Sequence, residues 1–326
     1  MKKLVLLIVI IFSLEAYPYE VGPSYVLFSF SYQRGDFSSS INDSKVNSLY
    51  REKIKNIDSM GFSFDLQSLF VECILLQFQG SFAFGSSHSS HINLLAPVGE
   101  RPFTLSAPAS FKYDSDSFKW NIKTKLGYHY RLGAIVLQPK LGFAFTDLTF
   151  KREKISPYPF RAQNLTTLAT GTIFPFNDIK CHFYSPLIGL DLIFLIDPHA
   201  NWNLLASYEY LIGPANYTTY YLIDENVTTA TSSKMLFYKE KQKSSKPADG
   251  HFLDLGIRYG INRWFFFGLG FQYEHFRIFS GNIKDEYRGY IIENNIRTNN
   301  SFTLKPRLSK LRYQSMNFYL SLALQY

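Results

Sequence analysis

Two pairs of titratable side chains have a spacing that acid–base chemistry could use. Asp114 and Asp116 are two residues apart, and so are Asp249 and His251. Residues two apart in a β-strand share a face, and a histidine oriented by a carboxylate suits a general base near neutral pH. These four residues are the catalytic candidates if the chain is an enzyme.

Two histidines raise the question of a metal site. His88 and His91 are three residues apart in a serine-rich segment. A zinc site needs three or four protein ligands, and the sequence places no further cysteine, histidine or cluster of carboxylates beside them. The chain also lacks a glycine-rich phosphate loop and a nucleophile-elbow motif. We therefore predict no metal and no cofactor, and expect these histidines to lie in a polar loop.

The elements that would position any such site are amphipathic strands. The last segment shows this most clearly, because apolar residues alternate with smaller or polar ones from Ser315 to Tyr326. About ten segments show the same period of two, which is typical of transmembrane strands. After the first residues no run of eighteen apolar residues occurs, so a membrane-spanning helix is not predicted. The sequence predicts an all-β, antiparallel transmembrane β-barrel of about ten strands.

The charged rows indicate which face of each strand is enclosed. Lys119, Lys123 and Lys125 alternate with Trp120, Ile122 and Leu126. A lysine facing lipid at the bilayer midplane would cost about 2–4 kcal/mol, so the lysine row must point inward. The residues predicted to line the lumen are Lys119, Lys123, Lys125, Lys140 and Arg258 together with Asp65, Asp191, Glu209, Asp254 and Glu274.

The connections between the segments alternate in length. Short ones are predicted at Leu66–Ser68, Arg131–Ala134, Asp197–Asn201 and Asn262–Arg263, and long polar ones at Arg34–Lys53, Gly85–Ser115, Asp147–Lys180, Gly213–Asp249 and Ser280–Lys310. Short turns at one end and long loops at the other are typical of an outer-membrane barrel with an even number of strands. The alternative is a secreted β-sandwich, which would not require this alternation.

The N-terminal residues predict export. Lys2 and Lys3 precede an apolar run, Leu4–Leu14, that is too short to span a bilayer. We predict a signal peptide over residues 1–16, cleaved near Ala16, and a barrel domain over residues 17–326. The formal charge of +8 would fall to about +7 after cleavage, without a basic tract, so nucleic-acid binding is not expected.

The C-terminal run Phe318 to Tyr326, the ten strands and the charged lumen resemble outer-membrane barrels. The pattern is similar to the omptin-like barrels and to the outer-membrane porin family of Protochlamydia. The omptin resemblance implies a protease in which an Asp pair and an Asp-His pair activate water. Here Asp114, Asp116, Asp249 and His251 would fill those roles, although their register points both pairs outward. The aromatic terminal residue resembles the signal read by the outer-membrane assembly machinery.

Three functional hypotheses follow. The first is a narrow porin or porin-like surface protein, in which the charged lumen either forms ion pairs across a closed interior or lines a narrow path for small polar solutes. The second is an omptin-like protease. The third is a surface adhesin or structural barrel whose loops bind host molecules or lipopolysaccharide. Expected partners are outer-membrane lipid, lipopolysaccharide and the assembly machinery.

Overall fold

The chain forms an all-β structure. A computed structural model describes residues 24–42, 50–71, 73–94, 109–153, 158–163, 167–175, 178–196, 202–229, 233–262, 264–293, 295–304 and 307–326. The predicted signal peptide, residues 1–16, lies outside these ranges. The described residues contain no helix that is long and apolar enough to span a membrane.

The described residues form sixteen strands. Their bounds are β1 Tyr25–Asn42, β2 Tyr50–Val71, β3 Ile74–Leu94, β4 Ala109–Tyr128, β5 Tyr130–Leu132, β6 Ile135–Glu153, β7 Tyr158–Gln163, β8 Thr167–Pro175, β9 Ile179–Leu195, β10 Trp202–Thr229, β11 Ser233–Gly260, β12 Phe265–Ile278, β13 Gly281–Asn282, β14 Lys284–Glu293, β15 Ile296–Leu304 and β16 Arg307–Gln325.

Ten of these strands close an antiparallel barrel. The order is β1, β2, β3, β4, β6, β9, β10, β11, β12 and β16, and β16 pairs with β1 to complete the circle. The first and last strands meet where Tyr25 lies opposite Gln325. We call this the turn end, because the short connections also lie there, and we call the opposite end the loop end. The predicted fold class, an all-β antiparallel barrel of about ten strands, is confirmed.

A band of large apolar side chains surrounds the half of the barrel nearer the turn end. The residues that alternate with them along each strand point inward and are mostly small or polar, as in other transmembrane strands. The outward residues of this band include Phe28, Phe30, Phe62, Leu76, Leu126, Phe143, Ile188, Leu255, Leu269, Phe318 and Leu322, all solvent-exposed in the isolated chain. The part of each strand that carries this band is its membrane-spanning segment.

The polarity of the two faces reverses above the band. Along β1, Phe28 and Phe30 point outward, whereas Phe37 and Ile41 point inward and are 1% exposed. The outward residue beside them is Asp36, which is only partly buried. Outside the bilayer the outer face meets water, so the apolar side chains pack inside as in a soluble barrel.

This reversal corrects the predicted loops. The five long connections were expected to begin where the outward apolar row ends, but β1 continues to Asn42, β3 to Leu94 and β10 to Thr229. The short connection predicted at Leu66–Ser68 is also wrong. These residues lie inside β2, which ends at Val71. Leu66 points outward and Gln67 inward there, so they continue the alternation.

A β-bulge in β2 sets the inward row above the band. Gly35 of β1 pairs with Ile57, but Phe37 pairs with Ile54, so β2 has one residue more than β1 at this point. Asn56 occupies the bulge with a φ of 52°, and its backbone N–H donates to Asp36 Oδ1 at 2.9 Å. Because of this extra residue Ile57 and Ile54 both point inward, with 3% and 0% exposure.

The left-handed backbone at Asn56 makes a specific prediction. Asn56→Val is expected to lower the free energy of unfolding by about 1–2 kcal/mol, because a β-branched residue is strained at positive φ. Asn56→Gly should stay close to wild type, although it also loses the 2.8 Å hydrogen bond from Arg34 to the Asn56 side chain. Urea unfolding in lipid vesicles measures both variants. Equal destabilisation by Val and Gly would assign the effect to the side-chain contact instead.

The sheet continues beyond the barrel at the loop end. Strands β10 and β11, each of 28 residues, form a hairpin that extends beyond the barrel. Strand β8 pairs with the outer part of β10, and β14 pairs with the outer part of β11. With β7 and β15 beside them, these strands form a six-stranded arrangement in the order β7, β8, β10, β11, β14, β15. We call this the outer sheet.

Candidate functional site

An ion pair joins opposite walls of the barrel near its middle. Lys119 of β4 contacts Glu274 of β12, and both side chains are almost fully buried. These strands are five positions apart in either direction around the ten-stranded circle. Side chains from diametrically opposite strands therefore meet, so the lumen is filled across its full width at this level.

Glu209 of β10 binds two further lysines from β4. Lys123 Nζ lies 2.5 Å from Glu209 Oε2, and Lys125 contacts the other oxygen. Lys123 Nζ also lies 3.5 Å from the centroid of the Phe252 ring, a cation–π contact. Each of the three charged side chains is less than 9% exposed, so Glu209 is the shared counter-ion of a buried cationic pair.

A third network lies nearer the turn end. Lys140 Nζ is 2.5 Å from Asp191 Oδ2 and donates to Gln77 Oε1 at 2.8 Å. Ser207 donates to Asp191 at 2.6 Å. Gln77 donates in turn to Asp65 at 2.8 Å. The buried charges are thus satisfied by hydrogen bonds as well as by ion pairs, as burial of charge requires.

The remaining lumen residues border a small cavity. Tyr319 donates to Asp254 Oδ1 at 2.7 Å, and the Arg258 guanidinium lies 5.2 Å from the centroid of the Tyr25 ring. The cavity measures about 110 Å³, and Asp254 and Arg258 line it together with Ser29, Gln79, Asn121 and Gln272. It has room for a few water molecules. Five cations face five carboxylates in the predicted set, so these ten residues form a neutral interior, not a cationic one.

The lumen above this polar zone is closed by apolar side chains. We call this layer the apolar seal. All its members are at most 5% exposed: Phe37, Ile41, Ile54, Ile57, Ile92, Tyr113, Ala144, Leu148, Phe150, Ile179, Cys181, Phe183, Leu187, Leu211, Ala215, Tyr217, Ala248, Phe252, Phe276, Ile278, Ile283, Leu308, Leu311 and Tyr313. Every strand of the barrel contributes at least one of them.

Ring contacts in the seal cross the lumen. The ring centroids of Phe37 on β1 and Phe150 on β6 are 4.8 Å apart, although four strand positions separate these strands. The centroids of Phe183 on β9 and Phe276 on β12 are 4.7 Å apart. Packed apolar side chains leave no room for a file of water molecules. Aromatic side chains of non-neighbouring strands therefore pack against each other inside the barrel at this level.

One buried ion pair lies within the seal. Arg152 Nη2 is 2.7 Å from Glu52 Oε2, and both side chains have 0% exposure. Arg152 also donates to Thr219 Oγ1 at 2.8 Å, and the Tyr113 hydroxyl donates to Glu52. The pair joins β2 to β6 across the lumen and lies above the membrane-spanning segments.

The environment of this pair fixes its protonation. Burial alone would lower the pKa of Arg152, but the attraction of Glu52 outweighs it, so the pKa is raised and the guanidinium stays charged. Burial and then the charge of Glu52 raise the pKa of Tyr113 well above its ordinary value, and the same two causes raise that of Tyr217. Both phenols therefore stay protonated, and that of Tyr113 donates to Glu52.

The four catalytic candidates lie on the outer face. Tyr113, Ser115 and Ser117 point inward, so Asp114 and Asp116 point outward. His88 Nδ1 is 3.2 Å from Asp114. Strand β11 has no register shift. Phe252 points inward, and so do the residues two positions before and after it, so Asp249 and His251 point outward.

Asp249 and His251 are held by separate partners on that outer face. Asp249 forms an ion pair of 2.5 Å with Arg277, and His251 Nδ1 lies 2.8 Å from the Tyr208 hydroxyl. Strands β4 and β11 are four positions apart around the barrel. The structure does not bring the two pairs together.

The remaining candidates are dispersed. His88 is exposed and His91 half-buried, both within β3, and burial lowers the pKa of His91. Among the described residues, no group of three or more His, Cys, Asp or Glu side chains could hold a metal ion. Cys73 lies at the turn end and Cys181 is buried in the seal, and both thiols are free.

The family of the chain follows from a comparison of its sequence with models of known families. Residues 110–324 match the model of a family described as Protochlamydia outer membrane protein. The chain belongs to this family. It is an outer-membrane barrel protein, so the predicted location in the outer membrane and the predicted resemblance are confirmed. A search of curated protein sequences gave no match.

One solved structure resembles this family member in fold, and two others match it with low scores. The outer-membrane protease OmpT from Escherichia coli has a TM-score of 0.60 with 10% identity, over 94% of this chain and 99% of OmpT. A FadL homologue from Pseudomonas aeruginosa has a TM-score of 0.30 with 10% identity, over 93% and 90% of the two chains. The β domain of the Bordetella autotransporter BrkA has a TM-score of 0.31 with 8% identity, over 93% and 100%.

The residues that the sequence failed to identify are those of the seal. Phe37, Glu52 and Tyr217 belong to segments predicted as loops, and so does Arg152. A signal was present, because period two continues through these segments with the apolar residues on the other face. A search for one continuous apolar row stops where the phase reverses. In this member of the Protochlamydia outer membrane protein family, that reversal marks the edge of the bilayer.

Proposed function

We propose that this chain is a closed outer-membrane barrel that presents its outer sheet for binding at the cell surface. The observation that carries the proposal is the apolar seal, to which all ten barrel strands contribute. A lumen blocked by packed side chains cannot serve as an open diffusion path. The barrel then acts as an anchor, and the surface for interaction lies outside it.

The outer sheet has the geometry of a binding surface. Its outermost strands are β7 and β15, and each pairs on one side with a neighbouring strand. Among the described residues no strand pairs with their other backbone edges, which are therefore available to a binding partner. Extended segments can add to such edges through main-chain hydrogen bonds. This supports the hypothesis of a surface adhesin or structural barrel.

Planar-bilayer recording tests the closed lumen. The purified full chain is expected to give no unitary current steps, because the seal removes the continuous water path. Insertion must be shown independently, by protection of the barrel from protease in vesicles. Steps of constant amplitude from inserted wild-type protein would contradict the closed barrel and support a porin.

A narrow porin is the second candidate function, favoured by the polar cavity of about 110 Å³ below the seal. If small polar solutes cross, the seal must open and the charged residues beneath must line the path. The double variant Phe37→Ala, Phe150→Ala removes a ring contact across the seal. We expect it to introduce current steps that wild type lacks, and we expect the substitution of Phe318, which faces lipid, to introduce none.

The positions of the acidic residues do not favour the omptin-like protease. Asp114 and Asp116 point away from Asp249 and His251 on a different wall of the barrel, so the four cannot activate one water molecule. We therefore propose no catalytic role for them.

We propose two kinds of partner, the assembly machinery and the lipids of the outer membrane. The C-terminal strand β16, with Tyr326 after it, is the segment that the assembly machinery would bind. Lipopolysaccharide and other outer-membrane lipids would contact the apolar band and the residues at its loop end.

A further inference from the structure

A group of polar and aromatic side chains lies on the outer face where the apolar band ends. It consists of Tyr208, Tyr210, His251, His275, Arg277 and Arg312, and we call it the outer-rim cluster. Its residues come from β10, β11, β12 and β16 and are neighbours in register: Tyr210 pairs with His251, His251 with His275, and Arg277 with Arg312. Tyr208 is the member nearest the turn end, and it is in register with Leu253, Tyr273 and Met316.

The contacts of this cluster leave cationic groups facing outward. Arg277 Nη2 is 2.5 Å from Asp249 Oδ2, yet its side chain is 52% exposed. Arg312 Nε donates to His275 Nε2 at 2.9 Å, which leaves the other guanidinium N–H groups for a further acceptor. No carboxylate of the described residues forms an ion pair with Arg312.

The two arginines oppose each other. Arg277 and Arg312 are directly paired across β12 and β16, where side chains lie close enough for like charges to repel. Asp249 compensates one of the two charges. An anion between the guanidinium groups would relieve the remaining repulsion, and a phosphate suits the planar N–H donors of arginine.

An apolar groove runs beneath the cluster on the lipid-facing side of the same strands. It measures about 570 Å³ and is lined by Leu204, Ala206, Leu255, Ile257, Leu269 and Phe271, with further apolar neighbours. Ala206 pairs with Leu255, and its small side chain leaves a depression between larger residues. In a bilayer a depression at this depth is filled by hydrocarbon.

We propose that the outer-rim cluster and this groove form one binding site for a phosphate-bearing lipid of the outer leaflet. Arg277 and Arg312 bind the phosphate, and an acyl chain lies in the groove. Tyr208 and Tyr210 lie at the level of the headgroups, where tyrosines commonly border the apolar band of barrels. The long loops of an outer-membrane barrel are extracellular, so the leaflet is the outer one, and the occupant is the phosphorylated lipid A anchor of lipopolysaccharide.

Lipid binding by the full chain tests this site. The protein is inserted into phosphatidylcholine nanodiscs, phosphorylated lipid A is added as the probe, and native mass spectrometry counts the lipid A molecules retained. Wild type is expected to retain lipid A in preference to phosphatidylcholine. The double variant Arg277→Gln, Arg312→Gln is expected to bind it about tenfold or more weakly, because charge-assisted hydrogen bonds are lost.

Two further variants separate the parts of the site. Ala206→Phe fills the groove without touching the arginines and should also weaken lipid A binding. Arg131→Gln removes an exposed arginine at the turn end of the barrel, far from the site, and should leave binding unchanged. The migration of unheated samples in SDS gels establishes that each variant is folded.

Competition with inorganic phosphate distinguishes a lipid site from a simple anion site. Phosphate at the same concentration should displace little lipid A, since it cannot occupy the groove. The proposal is overturned if wild type shows no preference for lipid A or if the arginine double variant binds as wild type does. It is likewise overturned if free phosphate displaces lipid A completely while Ala206→Phe binds normally.

Discussion

Glu209→Gln is expected to destabilise the barrel by about 3–5 kcal/mol, because removal of one partner leaves a buried charge uncompensated. The effect should lie at the upper end of this range, since Lys123 and Lys125 both contact this carboxylate. The side chains of Lys123 and Lys125 are 8% and 2% exposed, so bulk water barely reaches either ammonium. Urea unfolding in lipid vesicles, followed by tryptophan fluorescence, measures the loss.

The matched control is Asp116→Asn, which removes a carboxylate from the outer face of the same barrel. Asp116 is exposed, so the expected change stays within about 0.5 kcal/mol. A second substitution should partly rescue the variant. Lys123→Met in the Glu209→Gln background removes one of the two uncompensated charges and should recover part of the stability. If Glu209→Gln unfolds no more easily than Asp116→Asn, water must reach the lysines and the lumen is open at this level.

The membrane-spanning half of the fold could be predicted from sequence because one simple constraint acts on it. Hydrocarbon excludes charge from the outer face, so the lysine row of β4 had to be inward. This alternation alone predicts that Lys119 and Lys125 are buried, as they are in the structure. Which carboxylate each lysine contacts could not be predicted, since Glu274 is 155 residues from Lys119 in the chain.

The loop-end half was missed for a physical reason. Above the bilayer the apolar side chains that must be hidden from water turn inward, so the preference of each face changes sign within a continuous strand such as β1. Bulges complicate the pattern further, because β2 shifts its phase at Asn56 and β3 between Ser87 and Ser90. A period-two pattern with one reversal and one shift resembles an irregular loop when the strands are scored separately.

This reversal also limits what the charged lumen says about function. The charged lumen invites comparison with a selective pore, but the decisive residues are apolar and lie in the segments that the sequence assigned to loops. The four residues with catalytic spacing show that residue type alone does not identify a site. Their types and spacing suit acid–base chemistry, yet strand register places them on outer faces of different walls. Position in the barrel therefore decides more than residue type does.

The buried pair Glu52–Arg152 should behave as a single unit within the seal. Glu52→Gln and Arg152→Met are each expected to lower the free energy of unfolding by about 3–5 kcal/mol, because each leaves the other charge buried among apolar side chains. The double variant should lose less than the sum of the two. A coupling energy of up to about 3 kcal/mol is expected for residues in direct contact.

The size of that coupling distinguishes a seal from a water-filled vestibule. In a dry seal each single substitution leaves a charge that no solvent can reach. Each single variant is then strongly destabilised, and the effects of the two substitutions are strongly non-additive. In a wet vestibule water would solvate the remaining charge, and the coupling would fall to the range of surface ion pairs, below about 1 kcal/mol. Glu153→Gln and Lys151→Met provide matched controls, because both residues flank Arg152 and are exposed. A small coupling together with mild single effects would therefore contradict the closed barrel, even if the bilayer recordings were silent.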